Sequence, residues 1–452
     1  MTDPIDTLNP ILADSPAERS LARKLFPHFV TQDPQSGLLT ADGLAESWTI
    51  AQSSDRITFT LRSGVTWNDG TPITAQDVAF TFGAIADPRV ASPYRSSLAA
   101  VATVTAVDPG TVAVSLNQPD CSALQALVQP VLPSHRYGAD YGQLADSPLN
   151  RAPTTTAGPF RFVDQTGDGA VRLVRDDGYW RGAASIQAYH LVPAATVDVQ
   201  IGALQTGSGD LLRPLAADLG QFAGIETVDR TTFPDDSYSF VALNLADPAN
   251  PLAGQTTDGE RQFQSPHPIL GDLRVRQALA TALDYATILQ AAYGEAQYRT
   301  GSYVPPTAQW VHDPNLQPPI YDPQRAEALL DEAGWTDEDG DGIRSREGAS
   351  LALTLLTNND SPRRVAIAEL VAEQLGAIGV TIRREALPFE AMSARLIEQR
   401  YDLAVLGWDN LGADPGTMPF WHSREDRPGQ GFNFVSFQDE AVDAWLDEAR
   451  RM

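Results

Sequence analysis

Residues 44–85 constrain the fold most, because they encode a strand pair, a turn and a capped helix that follow one another with short connections. Asn68–Gly70 form a turn sequence that tolerates positive φ angles. Thr74 precedes Asp77 by three residues, which is the spacing of a capping box at the start of a helix. Alternating apolar residues mark a half-buried strand before the turn: Ile57, Phe59 and Leu61.

Length and charge limit the class of protein. A chain of 452 residues is too long for one ordinary core and predicts two or three subdomains. The net charge of −26 repels nucleic acids and anionic membranes, so we expect no nucleic-acid partner. No run of 18 apolar residues is present to form a membrane span. The single cysteine, Cys121, excludes an intrachain disulfide and is predicted to pack in an apolar helix.

Helical and strand periods alternate in the second half of the chain. Residues 273–293 carry apolar side chains on one face and predict one helix that stops at Gly294. Near the N-terminus, Ser15 and Pro16 predict the start of a helix that continues to Phe29. An α/β lobe is predicted from five consecutive elements: strand 351–357, helix 362–375, strand 380–385, helix 389–399 and strand 401–408.

The block at 44–85 resembles the signature of the family-5 (peptide/nickel/oligopeptide type) extracytoplasmic solute-binding proteins of ABC importers. Other segments resemble that family in the same order, including 155–162 (TTAGPFRF), 172–182 (RLVRDDGYWRG) and 273–293. The resemblance implies an α/β, two-lobed periplasmic-binding-protein-like fold of class II (cluster C) type. It also implies an extra subdomain in lobe 1.

The resemblance also implies a domain division. Residues 1–50 are expected to start lobe 1, 51–165 to form the extra subdomain, 166–235 to continue lobe 1, and 236–452 to form lobe 2. Relative to the family pattern, we expect the N-terminal strand to be missing and the chain to stop before its return to lobe 1. The N-terminus has no basic and apolar signal segment, so we expect the export signal to be absent from this sequence.

The best binding candidate follows the last predicted strand, where α/β lobes usually hold ligands. Residues 407–415 resemble the family's GWxxDxxDP loop, which implies that Trp408, Asp409 and Asn410 contact the ligand. In peptide-binding members, the central aspartate of this loop pairs with the ligand's α-amino group. Leu411 replaces it here, which argues for a broader ligand class than free peptides. The alternative is that Trp408 lies in the core and Asp409 caps the turn.

Four further residues align with ligand-facing positions of the family. Tyr238 matches an aromatic stretch beside the cleft, although packing at the hinge is an equal alternative. Tyr94 lies in a loop that can line the cleft. Asp14 and Ser15 match a first-lobe contact to the ligand backbone, but Ser15 is favoured as a helix cap.

Aspartates occupy alternate positions of a glycine-containing turn at Asp337, Asp339 and Asp341, as a hard cation would need. The register departs from an EF-hand, so a solvated turn is favoured over a calcium site. The six histidines lack the spacing of a zinc enzyme. We expect no cofactor.

The favoured function is the solute-binding component of an ABC importer, without catalysis. It would capture a peptide-like, oligosaccharide or chelate solute and deliver it to the permease subunits in the membrane. We expect a monomer outside the cytoplasm, either in the periplasm or as a cell-surface lipoprotein. The alternatives are a secreted hydrolase or glycosidase that uses a carboxylate pair, and a ligand-sensing binding protein.

Overall fold

The computed structural model describes residues 5–451 apart from nine short gaps: 34–35, 195, 213–220, 223, 226–227, 232–236, 295–298, 310 and 409–416. The chain divides into two compact units, of which the first comprises residues 1–212 with 449–452 and the second residues 213–448. Among the described residues, no helix is both long enough and apolar enough to cross a membrane.

The first unit contains five α-helices and nine strands in the described ranges. The helices are α1 (Pro16–Leu25), α2 (Ala75–Ala86), α3 (Ala123–Ala126), α4 (Ser134–Tyr137) and α5 (Val197–Thr206). The strands are β1 (Thr31–Gln32), β2 (Leu39–Thr40), β3 (Ala45–Ile50), β4 (Arg56–Leu61), β5 (Val101–Asp108), β6 (Thr111–Leu116), β7 (Phe160–Gln165), β8 (Val171–Arg175) and β9 (Ala188–Leu191). Antiparallel pairing gives the sheets β1-β2, β3-β4-β6-β5 and β7-β8-β9.

The block at 44–85 folds as its sequence predicts. β3 and β4 pair, and the three alternating apolar residues of β4 are at most 6% exposed. Gly70 has φ +86°, the positive angle that its turn requires. Asp77 accepts a hydrogen bond from the Thr74 N–H at 2.9 Å, which confirms the helix start. Its other oxygen accepts the N–H and the hydroxyl of Ser134 at 2.9 and 2.7 Å.

A buried carboxylate organises the N-terminal segment. One oxygen of Glu18 accepts the backbone N–H groups of Asp6 and Thr7, and the other accepts those of Asp14 and Ser15, all at 2.9–3.1 Å. Burial raises the pKa of Glu18, but these four hydrogen bonds outweigh it and lower the pKa below the usual glutamate value.

Two predictions in this unit are wrong in extent. Helix α1 ends at Leu25 rather than Phe29, because Pro27 cannot continue it. Cys121 is exposed rather than packed, because the helix expected around it is only α3, which begins two residues later.

We predict that Glu18→Gln lowers the free energy of unfolding at pH 7 by about 1–3 kcal/mol, because one amide oxygen cannot accept four N–H groups. The lowered pKa means that the carboxylate stabilises the fold fully above about pH 4.3, the ordinary glutamate value. That contribution is lost as the pH falls through the lowered folded-state pKa. Urea unfolding at several pH values measures this contribution to the free energy of unfolding. Glu46→Gln, at an exposed position of β3, is the control. Equal destabilisation by both variants would contradict the prediction.

The second unit contains seven α-helices and six strands in the described ranges. The helices are α6 (Leu273–Thr281), α7 (Tyr285–Tyr293), α8 (Pro323–Glu332), α9 (Pro362–Gly376), α10 (Phe389–Ile397), α11 (Met418–Trp421) and α12 (Glu440–Arg451), and the boundary between the units falls within α12. The strands are β10 (Tyr238–Leu243), β11 (Ser345–Arg346), β12 (Ala349–Ser350), β13 (Ala352–Asn358), β14 (Thr381–Leu387) and β15 (Leu403–Trp408).

The main sheet of this unit has the order β10-β15-β13-β14. β13 is parallel to β14 and to β15, and β10 is antiparallel to β15. The predicted strand–helix alternation over 351–408 is therefore confirmed. One core, with side chains from α6 to α9, packs against one face of the sheet, and a smaller core with Met392 and Leu396 of α10 packs against the other.

The single helix predicted over 273–293 is wrong, because the structure has α6 and α7 with a break at residues 282–284. Asp284 causes the break: its carboxylate accepts the Ala286 N–H at 3.1 Å and the Thr287 hydroxyl at 2.6 Å, so it caps a new helix. Apolar periodicity continues across such a break, which is why the pattern concealed it.

A buried histidine ties the polar segment 246–271 to the sheet. His267 Nε2 lies 3.0 Å from Asp402, whose other oxygen accepts the Thr354 N–H at 2.7 Å. His267 Nδ1 accepts the backbone N–H groups of Ile269 and Leu270, so the proton belongs on Nε2. Burial raises the pKa of Asp402, but these hydrogen bonds lower it overall. The contacts hold β15 in place at the end opposite Trp408.

Candidate functional site

Trp408 and Tyr238 lie directly opposite each other where β15 ends and β10 begins. Because side chains alternate along a strand, Tyr238 and Phe240 extend from the same face of the sheet as Trp408. Their ring centroids are 5.5 Å apart for Tyr238–Phe240 and 6.4 Å apart for Phe240–Trp408. The strand pairing therefore brings together the two aromatic residues that were predicted to border the cleft.

Side chains distant in sequence complete an aromatic cluster around Trp408. The indole lies 4.5 Å from the Phe420 ring, 5.9 Å from Phe432 and 6.1 Å from Phe434, measured between centroids. The Phe432 ring meets the indole edge to face, an arrangement that the quadrupoles of aromatic rings favour. We call these six residues the Trp408 cluster: Tyr238, Phe240, Trp408, Phe420, Phe432 and Phe434.

A second aromatic group lies nearby. Trp421 at the end of α11 packs against Tyr303 and Phe437, with centroids 5.3 and 5.6 Å apart. Burial raises the pKa of Tyr238, to which the nearby Tyr303 also contributes, and burial likewise raises the pKa of Tyr303. Both phenols are therefore neutral at physiological pH and offer hydroxyl groups rather than charge.

A cavity of about 590 Å³ in the second unit is lined by these side chains on one face of the sheet and by residues of the larger core, such as Leu279 and Val371, on the other. Ten of the 26 described lining residues are aromatic, although aromatic residues make up only 8% of the chain. Arg276 is the only charged residue among the described residues that line it. Its guanidinium donates to the carbonyl oxygens of Leu270 and Gly271 at 2.7 and 3.1 Å, and burial lowers its pKa. The described part of the lining can therefore hold an apolar group and offers little charge.

The structure describes only part of the predicted site. Asp409 and Asn410, with Leu411, lie outside the described residues. Trp408 and Tyr238 are half-buried and line the cavity. Trp408 also packs against the smaller core, which agrees in part with the alternative that it is a core residue. A ligand contact by these residues stays a prediction.

The other predicted contacts lie in the first unit. Tyr94 donates its hydroxyl proton to the Ala13 carbonyl at 2.8 Å, which places it beside Asp14 and Ser15. Ser15 caps α1, because its hydroxyl accepts the Glu18 N–H at 3.2 Å. Asp14 is exposed. The fold therefore groups these three residues, and their role toward a ligand stays a prediction.

The acidic turn has its carboxylates close together, since Asp337, Asp339 and Asp341 have oxygens within 4.8 Å of one another. The same carboxylates accept backbone N–H groups within the turn, as Asp337 does from Gly340 and Gly342 at 2.8 and 3.1 Å. These bonds are those of a self-stabilised turn and favour the solvated alternative, while calcium binding stays untested.

Sequence reasoning missed most of the Trp408 cluster and all of the second aromatic group. Phe432 and Phe434 alternate in a loop after α11, and Phe420 lies within α11 itself. The sequence GFNFVSF at 431–437 was the available signal, because three phenylalanines in seven residues are unusual for a surface loop and indicate burial. This segment shows neither helical nor strand periodicity, so its pattern does not indicate which residues it contacts.

An α/β unit with an aromatic cavity where one of its parallel strands ends is the kind of structure that captures a small solute. Comparison with known proteins defines it further. The family of bacterial extracellular solute-binding proteins described as "family 5 Middle" matches residues 41–428. The chain therefore belongs to the family-5 bacterial extracellular solute-binding proteins, as its motifs predicted.

Two relatives show how far the similarity extends. A Brucella ovis protein, whose name describes it as an ABC transporter peptide-binding protein, is 28% identical over 94% of this chain and 75% of its own length. Heme-binding protein A of Haemophilus influenzae is also 28% identical, over 90% of this chain and 72% of its own length.

Solved structures of similar fold cover the whole chain. They include HbpA2 of Haemophilus parasuis (TM-score 0.81, 22% identity, 87% of that chain) and NikZ of Campylobacter jejuni with Ni(L-His) (0.71, 23%, 85%). AppA of Bacillus subtilis, with a bound nonapeptide, has a TM-score of 0.68 at 22% identity and is covered to 86%. These identities establish the fold alone, and they confirm the predicted α/β class.

We predict that Gly407→Ala disturbs the site, because a Cβ atom at this position would lie 2.7 Å from the Tyr238 carbonyl oxygen. The clash should separate β10 from β15 beside Trp408, lower the thermal unfolding midpoint and change the near-ultraviolet circular dichroism of the aromatic rings. Gly202→Ala is the control, since nothing lies within 4 Å of its added Cβ in helix α5. An unchanged spectrum and midpoint for Gly407→Ala would contradict this account.

Proposed function

We propose that this protein is the solute-capturing component of an ABC importer and that it carries a peptide or another small organic solute without transforming it. The observation that carries the proposal is the aromatic cavity beside Trp408, in a chain that belongs to the family-5 solute-binding proteins. A binding protein uses such a surface to hold its solute, and the permease then recognises the loaded state.

Two relatives support a small organic solute but differ in ligand class. The Brucella relative is named for peptides and the Haemophilus relative for heme. Aromatic walls bind through area and shape rather than through one defined charge, which suits ligands with varied side chains. We propose peptide-like solutes first, because the Brucella relative covers slightly more of this chain.

The same proposal places the protein outside the cytoplasm as a monomer, with permease subunits as its partners and no catalytic step. The location follows from the family, whose members are extracellular. A purified permease complex in nanodiscs tests the partnership, and solute-dependent stimulation of its ATPase activity is the expected result.

We predict that one solute class binds with a stoichiometry of one and stays intact. Calorimetry and thermal unfolding with peptides, oligosaccharides, heme and nickel chelates measure binding, and mass spectrometry checks the solute. At a solute concentration 100 times Kd, stability should rise by about 2.7 kcal/mol. Trp408→Ala should weaken binding, whereas Trp445→Ala, which alters a 66% exposed side chain on α12, should not.

Two results would overturn the proposal. One is product formation that a single carboxylate substitution abolishes, which would indicate the hydrolase alternative. The other is the absence of binding across all four classes by a folded protein.

A further inference from the structure

We infer that the cavity beside Trp408 selects a planar, uncharged group of the solute, such as the aromatic side chain of a peptide. The inference rests on the proposed function, since it names the part of the solute that this site recognises. It extends that function from capture in general to a side-chain preference.

The walls of the cavity match a flat ring. The Trp408 cluster supplies six aromatic side chains, and Tyr285, Tyr303, Trp421 and Phe437 supply four more. Phe432 is 50% exposed, so its ring can contact a further ring, either stacked or edge to face. A volume of about 590 Å³ accommodates an indole or phenol group together with part of its backbone.

The charge of the lining disfavours an ionic group. Among the described lining residues, none is aspartate, glutamate, lysine or histidine. Arg276 already donates to two backbone carbonyl groups. Against these described side chains, an ammonium or carboxylate would lose its hydration without gaining a close counter-charge, which is costly in an apolar site.

Hydroxyl groups give the cavity limited polarity. Ser239, Thr300 and Ser302 line it together with the neutral phenols of Tyr238 and Tyr303. Ser239 already shares a hydrogen bond with the Tyr293 hydroxyl at 2.6 Å. Thr300 donates to the Ser302 carbonyl oxygen at 2.9 Å. A hydroxyl oxygen has two lone pairs, so Ser239 can still accept the N–H of an indole or the O–H of a phenol, and it does not select charge. Tryptophan and tyrosine side chains therefore fit better than aliphatic ones of similar size.

Matched tripeptides of the form Gly-X-Gly, with X as Trp, Tyr, Leu, Lys or Glu, test the inference by calorimetry on the full chain. We expect the Trp and Tyr peptides to bind at least about tenfold more tightly than the Lys and Glu peptides, with Leu between them. N-acetyltryptophanamide and N-acetyllysinamide repeat the comparison without peptide termini.

A pair of exposed phenylalanines supplies matched variants. Phe432 is 50% exposed and contacts the Trp408 indole, whereas Phe389 is 52% exposed and is absent from the lining. Phe432→Ala should reduce the Trp-over-Lys preference severalfold, and Phe389→Ala should leave it unchanged. Because both side chains are half exposed, we expect both variants to fold, and thermal unfolding checks this.

The outcomes separate the two proposals. Equal affinity for all X, or tighter binding of Lys or Glu, overturns the side-chain preference while solute capture stands. If no tripeptide binds but N-acetyltryptophanamide does, and Phe432→Ala weakens that binding, the result supports the side-chain preference without supporting peptide capture. The absence of that binding overturns it. An equal effect of Phe389→Ala would also overturn it, because the cavity would not be responsible.

Discussion

The antiparallel pairing of β10 with β15 is the interaction on which the candidate site depends. It places Tyr238 opposite Trp408, and the register holds over all six residues of each strand. Gly407 permits the close approach, since a Cβ atom there would meet the Tyr238 carbonyl oxygen at 2.7 Å. β15 is fixed in turn by its parallel pairing with β13 and by Asp402, which bonds to His267 and Thr354.

Charge is distributed in a way that suits solute capture. The chain carries a net charge of −26, yet the described lining of the cavity has no acidic residue. An acidic surface favours solubility and repels anionic polymers, while the proposed binding in the cavity relies on aromatic area. Solubility and recognition thus rely on different parts of the molecule.

Local patterns in the sequence predicted much of the fold. The capping residue Thr74 with Asp77, and the alternation in β4, fix their elements through neighbouring residues, so the sequence suffices. The break between α6 and α7 was missed because Asp284 competes as a helix cap within a continuous apolar pattern. Motif resemblance identified the family, which the match over 41–428 confirms.

The candidate site was less predictable, because it forms through tertiary contacts. Trp408 and Tyr238 were singled out through motifs, but Phe420 contacts the indole from the four-residue helix α11 and Phe432 from a loop, and neither segment shows a sequence period. Nothing in their spacing indicates that they meet Trp408. Hydrophobic periodicity predicts local helices and strands, but it does not predict which strands and loops far apart in sequence will contact each other.

Hydrogen–deuterium exchange with and without a bound solute tests the central claim most directly. Solute capture by the aromatic cavity predicts slower exchange of backbone N–H groups in residues 238–243, 403–408 and 418–437, with little change in strands β5 and β6, which do not line the cavity. Protection confined to other segments, with these three unchanged at saturating solute, would contradict the assignment of this cavity as the binding site.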